Sequence, residues 1–91
     1  MLAEFETRIL AHIDEMVEHA NDDELFAGGY LRGHLTLAVA ELEQEGANTL
    51  AHLNQRVEES VHKAIKAGEL TPPDQVLVLA TWQKLLSEVT E

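Results

Sequence analysis

Apolar residues recur every three or four positions along most of this chain, which is the spacing of one face of an α-helix. The clearest example is the segment of about residues 2–20, whose apolar stripe includes Leu2, Phe5, Ile9, Ile13 and Met16. Glu4, Asp14 and Glu18 lie on the opposite side of that helix. The pattern predicts an amphipathic helix with one face in a core.

Three further helices are predicted by the same periodicity, at about residues 23–45, 49–67 and 72–90. Thr71 before Pro72 is a typical helix start, and Gly46 and Gly68 stand where glycine commonly ends a helix. No sustained alternation of apolar and polar residues predicts a strand. Short connections favour antiparallel neighbours. We therefore expect an all-α fold, an antiparallel four-helix bundle, built as a single helical domain over residues 1–91.

The fourth predicted helix has apolar residues over more than half of its circumference, from Val76 to Val89. This distribution predicts that it is the most buried of the four helices.

The second predicted helix has two apolar stripes. The first consists of Leu31, Leu35, Ala38, Val39 and Leu42. The second, roughly 150° away at the rotation of an α-helix, consists of Phe26, Tyr30, Gly33, Leu37 and Ala40. Such a helix is either enclosed by its own bundle or offers one side to a partner, and both interpretations remain open here. The spacing of Gly29 and Gly33 lets another backbone approach closely.

The segment from Gly28 to His34 is a candidate for a small-anion site. A helix break at Gly28 and Gly29 would expose backbone N–H groups, and Arg32 is one of two basic residues in its half of the chain. The segment matches neither a Walker loop nor a dinucleotide-binding motif. The alternative is a structural kink in which Arg32 pairs with Asp22, Asp23 or another acid.

Five histidines raise the question of a metal site. His12 and His19 lie at the edge of the first helix, which is either a solvated edge or a site shared across a dimer. Glu59 and His62 have the spacing of a di-iron motif, but there is no second copy and Glu59 faces away from the apolar stripe. We therefore predict no metal and no cofactor.

Catalytic motifs are also missing. The chain has no cysteine, and no histidine is spaced to activate either of its two serines, Ser60 and Ser87. We predict that the chain is not an enzyme and has no catalytic residues.

Charge narrows the choice of partners. Seventeen acidic and six basic residues give a formal net charge of −11, of which residues 1–46 carry −9. This charge repels phosphate backbones, so we expect no nucleic-acid partner. The longest aliphatic run, Val76 to Ala80, is too short to span a bilayer, and the start of the chain does not look like a signal peptide. We expect a cytoplasmic protein without a membrane partner.

Three segments of the chain resemble the YfcL family of short bacterial proteins. They are Ala3 to Leu10, Asp22 to Leu35, and Ala64 to Leu70. The resemblance implies a bacterial cytosolic origin and a single small domain. It implies no catalytic or binding residues, because the family has no assigned activity.

Together these observations favour a non-enzymatic protein-interaction or accessory module with a protein partner or a homodimer seam. The candidate seam consists of Phe26, Gly29, Tyr30, Arg32, Gly33, His34 and Leu37. The alternative hypothesis is a protein that binds a small anion at Gly28–His34 or a metal at the edge formed by His12 and His19.

Overall fold

Four α-helices make up the computed structural model, which describes residues 2–19, 21–47 and 49–90. They are α1 (Leu2–Glu18), α2 (Asp22–Glu45), α3 (Leu50–Lys66) and α4 (Pro72–Thr90). The described residues contain no strand. The prediction of an all-α bundle is confirmed, and every helix boundary lies within two residues of its predicted position. Residue 20, the predicted end of the first helix, lies outside the described residues.

Local capping explains why the boundaries were predictable. Asn21, Thr49 and Thr71 precede α2, α3 and α4, and each side chain accepts a hydrogen bond from the N–H three residues ahead, at 2.9, 3.1 and 3.4 Å. These bonds satisfy N–H groups that have no partner within the helix. Gly46 and Gly68, which follow α2 and α3, have a φ of 79° that side chains other than glycine rarely adopt.

The core lies where α2 meets the other three helices. Its largest fully buried side chains are Ile9, Ile13, Leu31, Leu35, Leu42, Leu53, Val57, Val61, Val78, Trp82 and Leu85. Contacts between α2 and α4 are more extensive than those between α3 and α4. The bundle is correspondingly flat, with extents of 35 × 30 × 18 Å. This arrangement places the first apolar stripe of α2 at the centre of the molecule.

Helix α2 has seven buried residues and α4 has five, so the prediction that α4 is the most buried helix is wrong. The buried residues of α4 are Val78, Trp82, Leu85, Leu86 and Val89, which recur with helical spacing. Val76 lies outside this stripe and is 70% exposed. None of the described helices combines the length and the apolar character needed to cross a membrane.

Helix α2 continues through its adjacent glycines, so the break considered at this point does not occur. Gly28 is buried against α1, where a Cβ atom would lie 3.0 Å from Cε of Met16. A Cβ atom at Gly29 or Gly33 would meet nothing within 4 Å. The close approach within this chain therefore occurs at Gly28, and the predicted Gly29–Gly33 pair faces open space.

Candidate functional site

The second apolar stripe of α2 lies on the outside of the bundle. We call this surface the outer face of α2, and it comprises Phe26, Gly29, Tyr30, Gly33, His34 and Leu37. Phe26 is 41% exposed and Leu37 is 54% exposed. The interpretation in which the bundle encloses α2 on both sides is therefore wrong. The outer face is a solvent-accessible apolar surface, and large exposed apolar side chains that cluster are a common feature of interaction sites.

Three rings stand in a row along this face. The ring centroids of Phe26 and Tyr30 are 5.7 Å apart, and those of Tyr30 and His34 are 4.6 Å apart. Side chains four positions apart on a helix are neighbours, which is why these rings meet. The Tyr30 hydroxyl donates a hydrogen bond of 3.3 Å to Oε1 of Glu69. Partial burial, followed by the negative charge of Glu69 and this bond, raises the pKa of Tyr30.

His34 forms a second contact at the base of the row. Its Nδ1 lies 2.5 Å from Oγ of Ser60 on α3. Partial burial lowers the pKa of His34, and the charge of Glu69 opposes that change. The two residues are 26 positions apart on different helices, so no spacing in the sequence predicts the pair. Sequence spacing gave no histidine partner for Ser60, and the packing of α2 against α3 supplies one.

The proximity of Ser60 and His34 is not enough to define an acyl-transfer site. Such a site also needs N–H donors aimed at the developing oxyanion. Ser60 lies in the middle of α3, where N–H groups are used by hydrogen bonds within the helix. The structure thus accounts for the pair as a contact that orients the His34 ring between α2 and α3.

Two shallow grooves meet at Leu37. One has a volume of about 310 Å³ and is lined by Tyr30, Gly33, His34 and Leu37. The other, also of about 310 Å³, is lined by Leu37, Glu41, Arg56, Glu59, Ser60 and Lys63. Both are open to solvent, whereas small-molecule sites bury most of their ligand. Their shape suits a macromolecular surface better than a small ligand.

The predicted seam residue Arg32 points away from the outer face. Its Nη2 pairs with Oδ1 of Asp14 on α1. The prediction that Arg32 pairs with an acid is confirmed. The predicted anion site required N–H groups exposed by a helix break. Helix α2 is continuous, so its interior N–H groups are used in helix hydrogen bonds. The other six predicted residues do lie together.

Arg56 closes the far end of the face. Its guanidinium donates hydrogen bonds of 2.7 and 2.8 Å to Glu45 and a longer one of 3.5 Å to Glu41. These bonds lower the pKa of Glu45 and raise that of Arg56. The ion pairs hold α3 against the end of α2, and they offset the charge of one of the two basic residues that line the groove at Leu37.

The histidine edge of α1 lies in a separate cleft beside α4. His12 Nδ1 is 2.9 Å from Oε2 of Glu88. The cleft, of about 270 Å³, is lined by His12, Glu15, Met16, His19, Glu24, Lys84, Leu85 and Glu88. Over the described part of the chain, no three His, Asp or Glu side chains are arranged to hold a metal ion. The contact between His12 and Glu88 joins α1 to α4 at this edge.

The helices and the outer face together define a small, acidic, all-α bundle protein with an uncovered apolar surface on its central helix. The chain belongs to the YfcL protein family, whose sequence model matches residues 3–87. The expected resemblance is thereby confirmed. The chain is 56% identical over 91 residues to the Escherichia coli (strain K12) protein named "Uncharacterized protein YfcL". The match covers 100% of this chain and 99% of that protein. No solved structure matches the chain.

Proposed function

We propose that this protein is a non-enzymatic interaction or accessory module, and that the outer face of α2 is where it binds a protein partner. The observation that carries the proposal is the exposure of Phe26 and Leu37, at 41% and 54%, in one row with Tyr30. Burying such side chains against a partner stabilises a complex by removing apolar surface from water.

The residue types on this face also support a binding role. Tyrosine and other aromatic residues are common among the side chains that contribute most to binding free energy. Tyr30 is already held by Phe26, His34 and Glu69, so it loses little conformational entropy when a partner binds. Leu37 stands at the junction of the two grooves, where a partner side chain from either direction contacts it.

The charge of the protein supports a protein partner over a nucleic acid. A formal net charge of −11 repels phosphate groups and attracts basic protein surfaces. Electrostatic attraction of this kind mainly increases the rate of association.

The proposal is tested by affinity capture with three tagged proteins from a bacterial lysate: the wild type, Leu37→Glu and Val76→Glu. Val76 is the matched control, since it is also an exposed aliphatic residue but lies on α4 and lines neither of the grooves that meet at Leu37. We expect quantitative mass spectrometry to find a protein that the wild type and Val76→Glu retain and that Leu37→Glu loses.

Circular dichroism must first show that both variants are as helical and as stable as the wild type. If the three folded proteins capture the same set of proteins in equal amounts, the outer face is not a binding surface and the proposal is wrong.

A further inference from the structure

We infer that the occupant of the outer face is a cationic amphipathic helix of another protein, rather than a second copy of this chain. This inference rests on the proposed function and adds the chemistry of the partner. Three features of the face carry it: its linear shape, its two glycines, and the charges around it.

The face is a straight stripe along one helix. From Phe26 to Leu37 it extends over eleven positions, or roughly 16 Å at the rise of an α-helix. A stripe of this length and width matches about three turns of a second helix packed along it. The described residues contain no strand edge to which an extended peptide could add.

The two glycines form the middle of the stripe, with Phe26 and Leu37 on either side. Gly29 and Gly33 have helical backbone conformations, and a Cβ atom at either would meet open space. The fold thus gains no packing from them, although glycine in a helix interior is less stable than alanine. Small residues one turn apart allow a second helix to pack with its backbone close to the first.

The charges around the stripe are mainly negative. The acidic residues next to it on α2, or lining its grooves and contacts, are Asp22, Asp23, Glu41, Glu59 and Glu69. Arg56, which pairs with Glu45 and Glu41, and Lys63 also line the groove at Leu37 and balance the charges of Glu41 and Glu59 there. The excess of negative charge around the stripe therefore comes from Asp22, Asp23 and Glu69. A helix with Lys or Arg beside its apolar stripe complements this arrangement.

A second copy of the chain fits poorly for the same reason. A two-fold dimer brings together the same surface of two copies that each carry a formal net charge of −11, so the two copies repel each other. A stripe roughly 16 Å long on a helix about 10 Å across is also too small to supply by itself the roughly 800 Å² that each partner contributes to a standard stable interface. The remainder of such an interface would consist of like-charged surface.

The test is a selection from a displayed library of single helices about twelve residues long. In this library, the positions of each helix that would contact the outer face vary among Gly, Ala, Leu and Phe. The positions on either side of that contact stripe encode Lys or Glu in equal proportion. Binders are selected on the wild-type protein after depletion on Leu37→Glu. We expect the selected helices to carry Lys at the flanking positions and a small residue opposite the glycines.

A selected helix is then synthesised and its affinity is measured. We expect Leu37→Glu and Gly33→Leu to weaken binding by about tenfold or more, while Val76→Glu binds like the wild type. Gly33→Leu is informative because the new Cβ atom enters open space, and circular dichroism must show that this variant is as helical and as stable as the wild type. Raising the salt concentration should weaken binding as well.

Selection of Glu-flanked helices, an unbiased selection, or no binder would overturn the inference. A dimer in sedimentation experiments that Leu37→Glu dissociates would also overturn it. If affinity capture nevertheless finds a protein that depends on Leu37, the proposed function stands and only the chemistry of the partner is wrong. If both experiments fail, both proposals are wrong.

Discussion

The first apolar stripe of α2, which forms its inner face, and the outer face contain similar residues but differ in what covers them. Leu35 on the inner face is completely buried, whereas Leu37, two positions along the same helix, is 54% exposed. The inner face also contains Gly28, which packs against Met16, while Gly29 beside it faces open space. Apolar character alone therefore does not identify the core. The neighbours decide which stripe stabilises the fold and which remains available to a partner.

The largest expected difference between the two faces is the loss of unfolding free energy when a leucine is replaced by alanine. Leu35→Ala should lower the free energy of unfolding by about 2–5 kcal/mol, because it leaves a cavity in the core. Leu37→Ala should change it by no more than about 0.5 kcal/mol. Urea denaturation followed by circular dichroism measures both. Equal losses would mean that the outer face belongs to the core and is not free for a partner.

A hydrogen bond in the core and a hydrogen bond at the outer face provide the next comparison. Trp82 in the core donates its indole N–H to Asn54 at 2.9 Å, so Asn54→Ala leaves a buried donor unpaired. This should cost about 1–3 kcal/mol of unfolding free energy. Tyr30→Phe removes the exposed hydrogen bond to Glu69 and should cost less than about 0.5 kcal/mol. Denaturant titrations that rank the two variants in the opposite order would contradict this comparison.

Replacement of glycine by alanine should stabilise the protein more at the exposed Gly29 and Gly33 than at the buried Gly28. Gly29→Ala and Gly33→Ala should each stabilise the protein by about 0.5–1 kcal/mol, because the new methyl group meets nothing. Gly28→Ala should gain less, since Cε of Met16 must move away. Thermal unfolding of the three single variants gives the order directly. The interpretation fails if Gly28→Ala is the most stabilising of the three.

The smallest expected effect is a pH dependence at the outer face. Partial burial lowers the pKa of His34 below its ordinary 6.5, so the unfolded chain binds a proton at this residue more readily than the folded chain does. The contribution of His34 to stability is therefore complete above about pH 6.5 and decreases as the pH falls from there through the lowered pKa. His34→Gln should flatten this part of the stability profile. An unchanged profile would show that His34 is not responsible.

The helices and both stripes of α2 could be predicted from the sequence because they depend on local features. Capping residues such as Asn21 and Thr71 act within one turn, and helical periodicity places Phe26, Tyr30 and Leu37 on one side. Whether that side is covered could not be predicted, because it depends on where α3 and α4 pack. For the same reason no spacing revealed the contact between His34 and Ser60, which two separate helices bring together.

The resemblance to the YfcL family was also predictable from the sequence, and it identified the family without adding a functional residue. Which of Gly28, Gly29 and Gly33 packs against a neighbouring helix could not be predicted from the sequence. All three have the same chemistry, and only the rotation of α2 relative to α1 determines that Gly28 is the one packed against a neighbour.

The central claim, that a protein partner covers the outer face of α2, is tested most directly by photo-crosslinking in a bacterial host. A photoreactive benzoylphenylalanine replaces Phe26 in one variant and Val76 in a control variant, both of which are exposed positions. We expect the probe at position 26 to form a discrete crosslinked product with another protein, and the probe at position 76 to form none. The claim is contradicted if the two positions give the same products, or if position 26 crosslinks only to a second copy of this chain.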